Sequence, residues 1–376
     1  MERPNAWKKY DKKQLNEMEK LIKGYLGFLS NGKTERECVR QIIKLAEEYG
    51  YVDIADIVKS KKKVKAGDKV YSVCMGKTVA MFNVGTDNIE NGLNILGAHI
   101  DSPRMDVKQN PLYEKDDFAY LDTHYYGGIK KYQWVALPLA LHGVVVKKNG
   151  TVIDVVIGED KNDPVFCVSD LLIHLAGEQM EKKANKVIEG ENLDVLIGSA
   201  PLKDKDKDAV KANILKLLKK KYDIEEEDFL SAEIEVVPAG AAREAGIDRS
   251  MIMSYGQDDR VCAYTSLMAM LETDKVSKTT CCLLTDKEEI GSVGATGMQS
   301  KFFENSVAEL LNSMGKFNEL TLRRALAASS MLSSDVNAAY DPLFASAFDK
   351  NNASFFGRGV VFSKFTGSRG KSGSND

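Results

Sequence analysis

Histidine is scarce in this chain: His99, His124, His142 and His174 are the only four in 376 residues. A metal site built here must draw mostly on carboxylates. Cysteine is also sparse, and Cys38, Cys74, Cys167, Cys262, Cys281 and Cys282 include no C-x-x-C pair. Cys281 and Cys282 stand side by side in an apolar run, which suits buried reduced thiols better than a bridge and points to a reducing cytoplasm. No apolar run approaches the ~20 residues of a membrane helix. Lys8 and Lys9 are not followed by an apolar stretch, so no secretory signal is expected. An excess of either charge is missing too: 52 Lys and Arg against 55 Asp and Glu give a net charge of −3. Nothing global therefore points to nucleic acid or an anionic membrane. No internal repeat is visible. A P-loop fails because the position five before Gly370 is Phe365, and no G-x-S-x-G elbow occurs.

What is present is the balance of a soluble globular protein, 43% hydrophobic, 28% charged and 8% aromatic. At about 150 residues per domain the length suggests two or three domains. Leu15, Met18, Ile22, Tyr25 and Leu29 recur at helical spacing. A second helix opens at Thr34, where Thr34 and Glu37 fit a capping box, and stops near Gly50. Strands are predicted at 69–74, 78–84 and 93–99. Asn149-Gly150 between 137–146 and 151–157 signals a hairpin. A helix is predicted over 170–183 with Leu171, Leu172, Leu175 and Met180 inward, and a strand over 232–237. Lys203–Asp208, Lys216–Lys221 and Glu225–Asp228 read as solvated. Beyond Pro238 the pattern alternates again: helix 257–273, strand 279–285, helices 299–314 and 318–328, and a strand including Val360–Phe362. The simplest summary is an α/β layer interrupted by a strand-rich insertion.

Four clusters could carry chemistry. In Gly97–Pro103, alternation along a strand would set His99 beside Asp101, and a metal-binding imidazole usually gives its other N–H to a carboxylate. The alternative is a surface histidine beside a salt-bridging aspartate. In Tyr255–Arg260, Asp258 and Asp259 supply either a carboxylate bridging two cations or plain helix N-terminal charge. Glu288 and Glu289 follow an apolar strand, where paired acids are costly without a cation or proton. One can bind metal while its neighbour takes a proton. Asp335 sits among small residues, which also suits an ordinary turn. Together they offer one imidazole and several carboxylates near the edge of an α/β layer, a set suited to Zn²⁺, Mn²⁺ or Co²⁺ in a two-metal centre. His124 and His142 fall in the strand-rich stretch, with no assigned role.

GAHIDSPRMDVK, THYYGGIKKYQW, SYGQDDRVCAYTSL, TDKEEIGSVGATGMQS, SSDVNAAYDPLF and TGSRGKSGSND, in this order, resemble the signature segments of the M18 family of zinc aminopeptidases. The resemblance implies an α/β fold: a mixed-sheet metallopeptidase catalytic domain in two parts, 1–104 and 241–376, around an inserted β-rich dimerisation domain at 105–240. It implies His99, Asp258, Glu289 and Asp335 as ligands of two zinc ions, with Asp258 bridging. Asp101 would orient His99 and Glu288 would be the general base. His174 resembles a histidine lent to a neighbouring subunit, and the family assembles as dodecamers built from dimers. The implied reaction is hydrolysis of the N-terminal residue from a peptide substrate. For reading the cleaved side chain, acidic or neutral, the basic candidates Arg104 and Lys371 lie near the site motifs, and apolar residues lie just as near. The family pattern continues into a further segment with a late metal-binding histidine, and no histidine follows His174. The second metal would then keep only Asp258 and Glu289, so a catalytically impaired homologue, truncated relative to the family, is the alternative expectation. A phosphoesterase-type two-metal site is usually richer in histidine.

Overall fold

The computed structural model describes residues 3–368 and 371–374. Arg369, Gly370, Asn375 and Asp376, part of the C-terminal resemblance segment, lie outside the described residues, as does the Lys371 side chain.

The chain opens with helices α1 (Lys12–Asn31), α2 (Glu35–Glu48) and α3 (Ile54–Ser60) and strands β1 (Val52–Asp53), β2 (Lys69–Cys74), β3 (Thr78–Asn83) and β4 (Asn94–His99). Next come β5 (Arg104–Lys115), β6 (Phe118–Tyr126), β7 (Leu139–Val146), β8 (Val152–Ile157), the single-turn α4 (Gly177–Met180), β9 (Val195–Gly198), α5 (Ala209–Tyr222) and β10 (Ala232–Pro238). The chain continues through β11 (Arg243–Ala245), β12 (Met251–Met253), α6 (Gln257–Leu271), β13 (Thr280–Thr285), α7 (Phe302–Ser313), α8 (Glu319–Ala327) and β14 (Ser330–Ser333). A hairpin of β15 (Phe365–Ser368) and β16 (Lys371–Ser374) follows.

Two six-stranded sheets organise residues 25–335, with orders β1-β2-β3-β13-β4-β14 and β8-β7-β10-β5-β6-β9. The first is mixed, with β4, β13 and β14 mutually parallel; the second is antiparallel throughout and takes all its strands from between β4 and β11. This is the mixed α/β fold that the resemblance implied. Both faces of the first sheet are covered. Val79 and Met81 with Cys282 and Leu284 face Phe28, Leu29, Ile42 and Leu267; Ala80 and Phe82 with Cys281 and Leu283 face Ile57, Val307, Leu310 and Leu322. Alternate residues enter opposite cores, which is why these strands read as unbroken apolar runs. The second sheet buries Leu121, Leu141, Val155 and Ile234 with residues of α5 against it.

The capping box at Thr34 and Glu37 and the Asn149-Gly150 hairpin are both present. Three expectations fail here. Asp228, read as solvated with its acidic neighbours, is buried and pairs with Lys147 at 3.0 Å. Residues 170–183 do not form one helix: only the 3-10 turn Ile173–Leu175 and α4 are helical, and Leu171, Leu172, Leu175 and Met180 are exposed. Four apolar residues at helical spacing do not make a helix without a surface to bury them. Val360–Phe362 belongs to no strand and is likewise exposed. All six cysteines are free. The remaining unit comprises 1–24 with 336–376. There the Ala6 amide donates to the Gly357 carbonyl at 2.8 Å, and Tyr340 packs on Phe348 and Phe355.

His142, on β7, joins the second sheet to α2. Its Nδ1 lies 2.8 Å from Glu37 Oε1 and its Nε2 3.1 Å from Glu159 Oε1. Burial opposes a charge on this ring, but the two carboxylates outweigh burial and raise its pKa. The contribution is fully present below pH ~6.5 and is lost as pH rises through the elevated folded value. His142→Gln should cost roughly 1.5–3 kcal/mol in urea melts at pH 6. The gap between the two proteins should narrow at pH 9; a constant gap would show that the ring's charge contributes nothing.

Candidate metal centre

Three parallel strands end together: β4 at His99, β13 at Thr285 and β14 at Ser333. The edge beyond strand C-termini is where open α/β sheets hold ligands. Glu288 and Glu289 lie in the 3-10 turn Glu288–Ile290 after β13, and Asp335 follows β14. Asp258 and Asp259 occupy the first turn of α6 with non-helical dihedrals, so regular helix begins only after them.

His99 Nε2 lies 3.2 Å from Asp258 Oδ1, 3.8 Å from Glu288 Oε2 and 3.9 Å from Asp335 Oδ1. Its Nδ1 lies 3.0 Å from the Asp101 carbonyl oxygen and 3.3 Å from Asp101 Oδ1. The two residues meet because the chain leaves the strand at His99, rather than through strand alternation. Two ligand groups form, His99 with Asp258 and Glu289, and His99 with Asp259 and Asp335, each with its atoms within 4.8 Å of one another.

Asp101 is completely buried and accepts from the Tyr126 hydroxyl at 2.7 Å, the Glu288 amide at 3.2 Å and the Glu289 amide at 3.2 Å. The Asp258 carbonyl accepts from Ser102 Oγ at 2.7 Å. Buried Arg260 reaches the Ile100 carbonyl at 3.1 Å and the Lys33 carbonyl at 3.0 Å, which ties α6 to the segment after β4. Gly256, at φ +78°, leaves the space for this guanidinium: a Cβ there would stand 2.1 Å from Arg260 Nη1.

Electrostatics follow from packing acids around one imidazole. Burial opposes charge on His99, but Asp101 and Asp258 outweigh it and raise its pKa to about 11. Burial lifts Asp259 to about 7, with Asp335 adding to the effect. Burial and then Asp258 lift Glu289 to about 7. Glu288 is also raised by burial, with His99 pulling the other way. Asp101 moves downward, since the hydrogen bonds of His99 and Tyr126 outweigh its burial.

The donor set fits a divalent cation. Ligands at ~2.0–2.2 Å on a tetrahedral ion stand about 3.3–3.6 Å apart, close to the 3.2 Å between His99 and Asp258. Neither carboxylate oxygen of buried Asp259 has a hydrogen-bond partner of good geometry among the described residues. Crowded acids of this kind gain stability from a bound cation.

Of the residues singled out in the sequence, His99, Asp101, Asp258, Glu288, Glu289 and Asp335 converge. His174 does not join them: it is exposed in the turn Ile173–Leu175 and belongs to neither ligand group. Arg104 is buried in ion pairs with Glu35, Asp106 and Glu235. Ser102, Arg260 and Tyr126 were not singled out, although each lies within a segment that carries the resemblance, and Asp259 was offered beside Asp258 without a ligand role of its own.

A family profile described as aminopeptidase I zinc metalloprotease (M18) matches residues 28–376. The chain belongs to the M18 family. A probable M18 family aminopeptidase 1 of Clostridium acetobutylicum is 61% identical over 373 residues, covering 99% of this chain and 80% of that protein. The crystal structure of aminopeptidase I from the same organism superposes with a TM-score of 0.91 at 60% identity, covering 100% of this chain and 82% of that one. An M18 aminopeptidase from Thermotoga maritima gives a TM-score of 0.92 at 44% identity, covering 100% and 81%. M18 membership makes the chain an aminopeptidase of a zinc metalloprotease family, a metallo-exopeptidase. Among the described residues no helix is long and apolar enough to cross a membrane.

Proposed function

We propose that this chain hydrolyses the N-terminal residue from peptides at a dinuclear zinc centre, with Mn²⁺ or Co²⁺ as other cations the donors suit. One observation carries the reading: a single imidazole, His99, meets the acids of β13, β14 and α6 at one sheet edge in an M18 chain. His99, Asp258, Glu289 and Asp335 are the proposed ligands, with Asp259 a further carboxylate beside them. The ions supply Lewis acidity at the scissile carbonyl and activation of water. Glu288 is the proposed general base: it takes a proton from the attacking water and returns it to the leaving amine. Burial raises its pKa above the ordinary glutamate value, with His99 pulling the other way, a direction that strengthens the carboxylate as a base. Asp101 fixes the His99 ring so that Nε2 faces Asp258, the carboxylate with which it would hold a cation.

The same reading extends to assembly. Leu171, Leu172, Ile173 and Leu175 expose a run of apolar surface around His174. Such a patch marks an interaction site, which supports a homo-oligomer, dimer-based and dodecameric as in the family, in which His174 serves a neighbour's centre. The cytoplasm is the proposed location.

The test is metal analysis with activity. Purified protein should bind two zinc ions per chain and hydrolyse leucyl or aspartyl chromogenic substrates, and a chelator should abolish hydrolysis until zinc is restored. Both ligand groups share one imidazole, the observation that favours an impaired homologue. Fewer than two ions per chain with no hydrolysis would decide for that alternative.

A further inference from the structure

Tyr126 ends β6, a strand of the second sheet, yet its hydroxyl donates at 2.7 Å to Asp101, at the edge of the first. Asp101 holds the frame of the metal centre. Its Oδ1 accepts the Glu288 amide and faces His99 Nδ1, while its Oδ2 accepts the Glu289 amide and the Tyr126 hydroxyl. One buried carboxylate thus links the imidazole after β4 to both acids after β13. Among these four holds, Tyr126 alone comes from the second sheet.

Tyr126 is itself fixed. Antiparallel register places Arg104 of β5 opposite it, and the guanidinium stands 3.8 Å from its ring centroid. Ion pairs to Asp106 at 2.8 Å, Glu235 at 3.2 Å and Glu35 at 3.3 Å hold that guanidinium. The residue after Tyr126 is Gly127, at φ +73°, where a Cβ would stand 3.1 Å from Glu289 Cβ and 3.2 Å from its Oε2. The end of β6 therefore lies directly against the acids of the centre. Without the phenol, Asp101 Oδ2 keeps only the Glu289 amide. The carboxylate then gains rotational freedom, and the imidazole and the Glu288–Glu289 turn lose their common reference.

We propose that Tyr126 is a positioning residue through which the second sheet sets the geometry of the metal centre. The inference rests on the metal-centre reading above. It predicts that Tyr126→Phe lowers zinc affinity by roughly 10–100-fold, the usual cost of losing a partner that orients a ligand.

The test compares Tyr126→Phe with Tyr113→Phe. Tyr113 lies in the same sheet and donates to Asp194 Oδ2 at 2.5 Å, so the control deletes a similar phenol–carboxylate bond away from Asp101. Zinc affinity is measured by competition with a chromophoric chelator. Hydrogen exchange at the Glu288 and Glu289 amides is measured on metal-free protein. The expected result is weaker zinc binding and faster exchange at those two amides in Tyr126→Phe only, with a thermal midpoint no lower than that of Tyr113→Phe. Zinc affinity within about twofold of wild type in Tyr126→Phe, against the tenfold minimum expected, overturns the proposal. Unchanged amide exchange, or an equal loss in Tyr113→Phe, does the same. If the wild-type chain takes up no zinc, the functional reading fails, and the exchange data still decide whether Tyr126 holds the frame.

Discussion

Glu288→Gln should lower turnover by roughly 10²–10⁴-fold, the contribution of a positioned general base, while bound zinc stays at the wild-type level. The two halves of this expectation have different origins. Glu288 belongs to neither ligand group among the described residues, so replacing its carboxylate with an amide leaves the donor atoms of His99, Asp258, Glu289, Asp259 and Asp335 in place. Its Oε2 nevertheless stands 3.8 Å from His99 Nε2, close enough to reach a water held at the centre. Its backbone amide, rather than its side chain, is tied to Asp101, so the turn also survives the change. Kinetics beside metal analysis separate the roles. Retained turnover rules out the base assignment, whereas lost zinc would make Glu288 a ligand. Glu289→Gln should show the opposite balance and lose metal first.

The second large effect concerns stability. Glu35 opens α2 with no exposed surface; its carboxylate lies 2.9 Å from Lys77 Nζ and 3.3 Å from Arg104 Nη1. Burial works against its charge, but Arg104 and Lys77 overcome this and hold the carboxyl well below its usual range. Removing one member of a buried ion cluster costs roughly 3–5 kcal/mol. Glu35→Gln should fall at the lower end, because Glu235, whose pKa is raised by burial and by Glu35, can ionise beside Arg104 in its place. The pH dependence has a fixed sign. A carboxyl depressed in the folded state stabilises above its unfolded pKa of ~4.5 and loses that contribution as pH falls toward the folded value. Measured in urea in a Glu235→Gln background, where no second carboxyl can take over beside Arg104, unfolding free energy should therefore drop more steeply between pH 5 and 3 with Glu35 than with Glu35→Gln. Equal slopes would place the acid sensitivity elsewhere.

The carboxylates of the centre were legible because each follows an apolar strand or opens a helix, positions where a local pattern and a chemical oddity coincide. Glu288-Glu289 after the run Thr280–Thr285 is the clearest case. Asp259 was harder to assign: adjacent to Asp258, it reads as a second helix-terminal charge. Only the non-helical backbone at both positions turns it toward His99 and Asp335. Tyr126 had no local signal at all, since a tyrosine ending an antiparallel strand is ordinary, and its partner lies 25 residues earlier in the chain. The missing helix at 170–183 is the converse: the spacing was right, but no surface covers Leu171, Leu172 and Leu175 in this chain. Helical periodicity states which residues would be buried together; burial itself needs a partner.

Residue type and short-range spacing were enough to establish the family, the mixed α/β class, the alternation of the central strands and the scarcity of nitrogen ligands. Which acids share His99, the enclosure of Arg104 in an ion cluster, and the reach of a second-sheet strand to Asp101 emerged only from the packing of the folded chain. Those outcomes depend on register and crossover between segments far apart in the chain, and on where burial makes one hydrogen bond outweigh the loss of water.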